Sequence, residues 1–139
     1  MAILLDTSFL YSFFDEQDKY HNDVRKFYAM MLDGEYGVPI LLDYVFDEFI
    51  TLVQIRTGRN DIATELGKLL LEDCESFMMF SWVNSNEFWK AWNLFQHQEG
   101  SKFLSFTDCI LIEFAKTNRV GQIATLDRHF RSWMHTIPE

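Results

Sequence analysis

The stretch AILLDTS, residues 2–8, decides the fold. Four apolar residues in unbroken succession lack the alternation of a half-exposed strand. They fit a strand covered on both faces, the usual setting of a parallel sheet. The run ends on a carboxylate, Asp6, followed by the hydroxyls of Thr7 and Ser8. A carboxylate in such apolar company is costly unless a cation or hydrogen bonds compensate it. No basic residue stands near it in sequence.

Working outward, the same kind of run recurs at Val38–Leu42, Phe77–Val83 and Gln122–Thr125, with Thr136–Ile137 as a fifth strand at the edge. Pro39 restricts the second run to its first residues or to an edge position. Between the runs the pattern is helical: Ser8–Phe14, Tyr20–Leu32 up to Gly34 and Gly37, and a helix capped by Asp43 that carries Val45, Phe49, Leu52 and Val53 on one stripe. A further helix over Ile62–Leu71 has Asn60 available as its cap. Asn84 followed three residues later by Glu87 forms a capping box for a helix bearing Phe88, Trp92 and Phe95. Ser105 caps the last one, with Ile110, Leu111, Phe114 and Ala115 on its apolar face. Strands separated by helices imply right-handed crossovers. The expected class is α/β: a three-layer α/β/α sandwich around a mainly parallel sheet of four or five strands.

At 139 residues the chain is expected to form a single domain, residues 1–139, without help from disulfides. Its formal charge of −9 argues against a generic nucleic-acid binder, whose affinity comes chiefly from phosphate contacts. Any nucleic acid must be engaged locally, through metal ions and a few cations. Some of the abundant aromatics (Phe13, Phe14, Trp89 and Trp133) are expected to be partly exposed and to serve self-association. Cys74 and Cys109 fit no metal spacing, and Cys109 falls within a helical pattern as a buried free thiol. No apolar run approaches the roughly 18 residues of a membrane span. The start, MAILLDTS, lacks the basic opening of a signal peptide, so a cytoplasmic setting is expected.

Open parallel sheets bind ligands beyond the carboxyl ends of their strands, where strand order reverses. Asp6 directly follows the first strand, and Asp127 comes two residues after Thr125. Asp108 lies in the first turn of the helix capped by Ser105, where the helix dipole favours an anion by up to about 1 kcal/mol. Glu48 stands about one turn into the helix after the second strand, with the reach to return to the sheet edge. All four acids therefore belong to one edge. Taken singly, Asp108 also reads as a capping-box acid, Asp127 as a cap for Arg128–Trp133, and Glu48 as a solvated residue like Asp47 beside it.

Clustered carboxylates repel, and some stay protonated unless cations neutralise them. Mg²⁺ and Mn²⁺ prefer such oxygen ligands, and can polarise a phosphate and activate water for an in-line displacement. No nucleophile–base triad is evident, so water is the expected nucleophile. Thr7, Ser8 and Thr125 carry hydroxyls that can orient a carboxylate or hold a water, local backbone bonding being the alternative. A haloacid-dehalogenase-like phosphatase needs a second Asp two residues after the first, and position 8 is Ser. A receiver domain needs an Asp after its third strand, where this chain has Trp82 and Val83, and a later Lys that has no match.

The segments ILLDTSFL (3–10), FDEFI (46–50), LSFTDCILIEFA (104–115) and IATLDRHF (123–130), in that order, resemble the PIN domain. They are similar in particular to the VapC-like ribonucleases of toxin–antitoxin pairs. The resemblance implies a Mg²⁺- or Mn²⁺-dependent endoribonuclease acting on single-stranded or structured RNA. Asp6, Glu48, Asp108 and Asp127 would be its catalytic acids, and Asp6, Asp108 and Asp127 its metal ligands. It further implies an antitoxin protein as partner and a homodimer as the assembly. Ser8 and Thr125 match hydroxyl residues beside the first and last acids, and His21 matches a His with a structural role. His129 stands where some members carry a further acid. Arg128 and Lys102, with Arg131 and Arg119, are the expected phosphate contacts. The alternative is a catalytically weak scaffold of the same fold that binds RNA or a protein partner.

Overall fold

A computed structural model describes residues 1–139. Ala2–Leu5 forms β1, the central strand of a five-stranded sheet. Val38–Leu42 (β2) flanks it on one side, with Met79–Ser81 (β3) beyond. Gln122–Ala124 (β4) flanks it on the other, with His135–Ile137 (β5) at the far edge. Every pair is parallel. The expected fifth strand is therefore present. Ile3, Leu4, Leu5, Leu41, Leu42, Ile123 and Ala124 are wholly or almost wholly inaccessible, as continuous apolar runs require in a sheet covered on both faces.

The helices are Thr7–Phe14 (α1), His21–Leu32 (α2), Asp43–Thr57 (α3), Asn60–Ser76 (α4), Ser85–Gln96 (α5) and Phe106–Asn118 (α6), followed by a 3₁₀ turn at Arg128–Ser132. The chain steps outward from β1 to β2 to β3, then crosses back to β4 on the other side of β1. Right-handed crossovers running in opposite directions put α1–α4 on one face of the sheet and α5–α6 on the other. The reversal of strand order falls between β1 and β4. One backbone approach is tight: Gly37, at φ +79°, lies against the Met1 carbonyl, where any Cβ would collide. The Val38 N–H donates to that carbonyl at 3.1 Å and starts the β1–β2 ladder.

Several local expectations are corrected. Asp43 is the first residue of α3, with Leu42 in the cap position. Its Oδ1 accepts the Val83 N–H at 3.0 Å and so ties the end of β2 to the chain leaving β3. Asn60 likewise opens α4, with Arg59 before it. The strand expected over Phe77–Val83 shrinks to three residues. The N–H groups of Phe77 and Met78 turn back to the Asp73 carbonyl to close α4, and that of Val83 is taken by Asp43. Phe13 and Phe14 are partly exposed, as expected, but pack against the core. Phe13 stacks on Tyr28 at 4.1 Å, and Phe14 packs against Phe49 at 5.6 Å. Trp89, 63% exposed, and Trp133 do face outward.

Other expectations hold. Both capping boxes form, Asn84 with Glu87 and Ser105 with Asp108. Cys109 is fully buried, and burial, followed by the charges of Asp108 and Glu113, pushes its thiol up to about 11. His21 has a structural contact: its Nδ1 lies 2.9 Å from the Ser12 carbonyl, which can only accept, so this nitrogen carries the proton. No helix is long and apolar enough to cross a membrane.

Candidate active site

The register of β1 and β4 builds the centre. Leu5 pairs with Ala124, so the residues that follow, Asp6 and Thr125, emerge side by side at the carboxyl edge. The Asp6 N–H still bonds to the Ala124 carbonyl at 3.0 Å, and that of Thr125 to the Ile137 carbonyl at 3.0 Å. Thr125 Oγ1 donates to Asp6 Oδ2 at 2.6 Å, and Ser8 Oγ donates to the same oxygen at 2.9 Å. Both hydroxyls are themselves aimed by backbone donors, Leu126 N–H onto Ser8 and Asp127 N–H onto Thr125, each at 3.0 Å. Each hydroxyl accepts from the backbone and spends its proton on Asp6. One oxygen of Asp6 is thus locked in place, and Oδ1 has no protein donor.

Asp6 is 3% exposed. Burial pushes its carboxyl up to about 6; the Thr125 and Ser8 hydroxyls pull it down, and the charges of Asp108 and Asp127 push it up again. Asp108 is placed by its capping box. Its N–H donates to Ser105 Oγ at 3.1 Å, and its Oδ2 accepts the Ser105 N–H at 2.9 Å. The same Oδ2 lies 3.3 Å from His129 Nε2, and Oδ1 is left over. His129 therefore faces the acids at the position where an extra acid was conceivable. Asp127 precedes the 3₁₀ turn without capping it through its side chain.

All four acids line one open cleft of about 440 Å³: Asp6, Glu48, Asp108 and Asp127, together with Ser8, Ser105 and Asp18. The pitch of α3 separates Glu48, which faces the cleft, from Asp47, which is exposed and does not line it. The carboxylates meet across this cleft without closing on one point as a preformed cage of three ligands. An all-oxygen donor set, one member pushed toward protonation chiefly by its burial, suits a hard divalent cation.

The expected phosphate contacts divide. Arg128 and Arg131 line a neighbouring recess of about 240 Å³ that shares Tyr20, Leu126 and Asp127 with the cleft. Lys102 is exposed but does not line the cleft. Arg119 caps the far end of α6, about 20 Å along the helix from the cleft, and is out of place for this role. Sequence reasoning also passed over Arg56, Tyr11, Asp18 and Tyr20, which all line the cleft. The signal for Arg56 was available, because it follows Glu48 and Leu52 at intervals of four.

A parallel α/β/α sheet with four carboxylates gathered at its point of strand reversal defines an acidic-centre sandwich protein. The chain belongs to the PIN domain family, whose model matches residues 3–133. Its fold is that of the crystal structure of Mycobacterium tuberculosis VapC20, a sarcin–ricin loop cleaving toxin. The TM-score is 0.80 at 18% identity, over 94% of this chain and 93% of that one. No curated protein matches it.

Proposed function

We propose that this protein is a divalent-cation-dependent endoribonuclease of the VapC-like toxin type. The observation that carries the reading is the gathering of Asp6, Glu48, Asp108 and Asp127 on one cleft at the β1–β4 switch point. Family membership supports it, as does the shared fold with a sarcin–ricin loop cleaving toxin.

Asp6, Asp108 and Asp127 would hold Mg²⁺ or Mn²⁺. When bound, the cation supplies positive charge to the phosphate and eases deprotonation of water. The chain's own groups prepare the rest. Ser8 and Thr125 fix Asp6 in one rotamer, so its free oxygen enters the cleft already oriented. Glu48, half-buried on the cleft wall and in none of the chain's ion pairs, would accept a proton from the attacking water. Arg128 borders the site from the adjoining recess, where a flanking phosphate would find it.

The proposed setting is cytoplasmic, with an antitoxin protein as partner. The outward row Trp89, Trp92 and Phe95 on α5 is the proposed self-association face of a homodimer. A monomer mass by light scattering at micromolar concentration would remove the dimer.

The purified protein should cut RNA with Mg²⁺ or Mn²⁺ and stop when the metal is chelated. Asp6→Asn should lose at least about 100-fold in rate. Equal cleavage by the variant would mean that the activity lies elsewhere. The absence of a preformed three-ligand cage favours a second reading, a weak or inert scaffold that binds RNA or protein. Calorimetric titration separates the two: a nuclease centre binds Mn²⁺ saturably and loses it in Asp6→Asn, whereas an inert scaffold shows no such site.

A further inference from the structure

Arg56 is the only basic side chain lining the acidic cleft. It lies about two turns beyond Glu48 on α3, and Glu48, Leu52 and Arg56 share that helix's cleft-facing side. Its guanidinium carbon sits 4.4 Å from the centre of the Tyr11 ring, itself part of the cleft wall. The chain's ion pairs are Arg59–Asp61, Lys116–Glu113, His129–Asp108 and His135–Glu139, and Arg56 is in none of them. An exposed guanidinium that lines the same cleft as Asp18 and Glu48 could close on either carboxylate, and it pairs with neither. This one is held by an aromatic face instead and keeps its N–H donors unspent.

We propose that Arg56 and Tyr11 are a substrate-positioning pair that grips a phosphate of the RNA strand beside the one being cut. The proposal rests on the ribonuclease reading and deepens it. A chain of net charge −9 repels RNA at long range, so the strand must be seized by local cations once it arrives. Bound metal would serve the scissile phosphate. A neighbouring phosphate needs a separate donor, and a planar guanidinium offers two parallel N–H groups that match two phosphate oxygens. Stacking on Tyr11 fixes the plane of that fork, so less freedom is lost when the phosphate binds. A lysine at this position would supply the charge without the plane.

The test is steady-state cleavage of a short single-stranded oligoribonucleotide in Mn²⁺. Arg56→Gln should raise KM about tenfold or more, leave kcat within about threefold, and flatten the salt dependence of binding by about one unit of slope. Arg56→Lys should recover little of this. Tyr11→Leu, which removes the ring, should raise KM about two- to fivefold, and Tyr11→Phe, which keeps it, should raise KM less than Tyr11→Leu does. Mn²⁺ affinity measured without RNA should be unchanged in Arg56→Gln. An unchanged KM in Arg56→Gln overturns the proposal. So does tighter Mn²⁺ binding with normal KM, which would make Arg56 an internal counterion of the acids.

Binding of a labelled oligonucleotide by fluorescence anisotropy, in an Asp108→Asn background, separates this pair from the ribonuclease reading. Arg56-dependent binding in a protein whose parent never cleaves keeps the pair and discards the nuclease. Normal binding and cleavage by Arg56→Gln discards the pair alone.

Discussion

Two helices of this protein begin with the same four-residue device and put its acid to opposite uses. At α5, Asn84 and Glu87 cap one another, and the glutamate is 1% exposed. Its Oε1 accepts the Asn84 N–H at 2.9 Å and its Oε2 accepts Asn118 Nδ2 at 2.7 Å, so both oxygens are spent inside the protein. At α6, Ser105 and Asp108 make the same reciprocal pair, yet only Oδ2 is engaged, and Oδ1 is left beside the cleft. The shorter aspartate, set at the sheet's switch point, caps its helix and still has an oxygen to offer. Capping and function are thus not rival explanations for Asp108. What would separate a structural acid from a ligand is how many of its oxygens remain unclaimed.

The largest effect should come from the sharpest form of this contrast. Asp108→Asn keeps an oxygen for the Ser105 N–H, so the helix stays capped, but it removes the charge. Cleavage should fall by at least about 100-fold with little change in melting temperature. Glu87→Gln should do the reverse: normal cleavage, but about 1–2 kcal/mol of stability lost, because a new N–H donor meets the amide of Asn118. Chemical denaturation beside a cleavage assay reads both, and a Glu87→Gln protein that folds stably but cannot cut would erase the distinction.

Hydroxyl removal at Thr125 should come next. Thr125→Val deletes the shortest bond to Asp6 and the acceptor of the Asp127 N–H. Activity should drop about 10- to 100-fold with metal affinity weakened in parallel. A variant with full Mn²⁺ affinity would show that Asp6 needs no orientation.

The metal-free stability of Asp6 supplies the last effect and the least intuitive one. In the unfolded chain its carboxyl titrates near 3.8, and in the fold burial raises it to about 6. Between these values the native state holds the extra proton. Metal-free stability attributable to this group is therefore greatest below pH 3.8, falls as pH rises to 6, and stays low beyond. Asp6→Asn cannot ionise. Without metal it should be about 1–3 kcal/mol more stable than the parent at pH 7, with the gap closing toward pH 4. Saturating Mn²⁺ should stabilise the parent and leave the variant unmoved. Thermal melts at the two pH values, with and without Mn²⁺, decide it.

Much of this was legible in the sequence because a sheet covered on both faces writes continuous apolar runs. AILL and QIA end where Asp6 and Thr125 begin, so the acid and its hydroxyl partner could be put at one edge from pattern alone. The ambiguity between Asp47 and Glu48 needed three dimensions, since adjacent helical residues point about 100° apart and only the packing of α3 says which way the cleft lies. Aromatic-rich Phe77–Val83 looks like a strand by propensity, but most of its N–H groups outside β3 were claimed by Asp73 and Asp43. Along the chain Arg56 stands no nearer to one of the four acids than Arg119 does. Helical pitch brings it to the cleft and carries Arg119 away.

The pairing of β1 with β4 also bears on how the molecule is made. The centre joins residue 6 to residues 108, 125 and 127, so most of the chain must be synthesised before its two ends can meet. A nascent chain that has displayed Asp6 holds a lone carboxylate, without the hydroxyl of Thr125 or the neighbouring acids. For a protein whose proposed substrate is RNA, this order of assembly would keep the proposed centre incomplete while its own synthesis still depends on intact RNA.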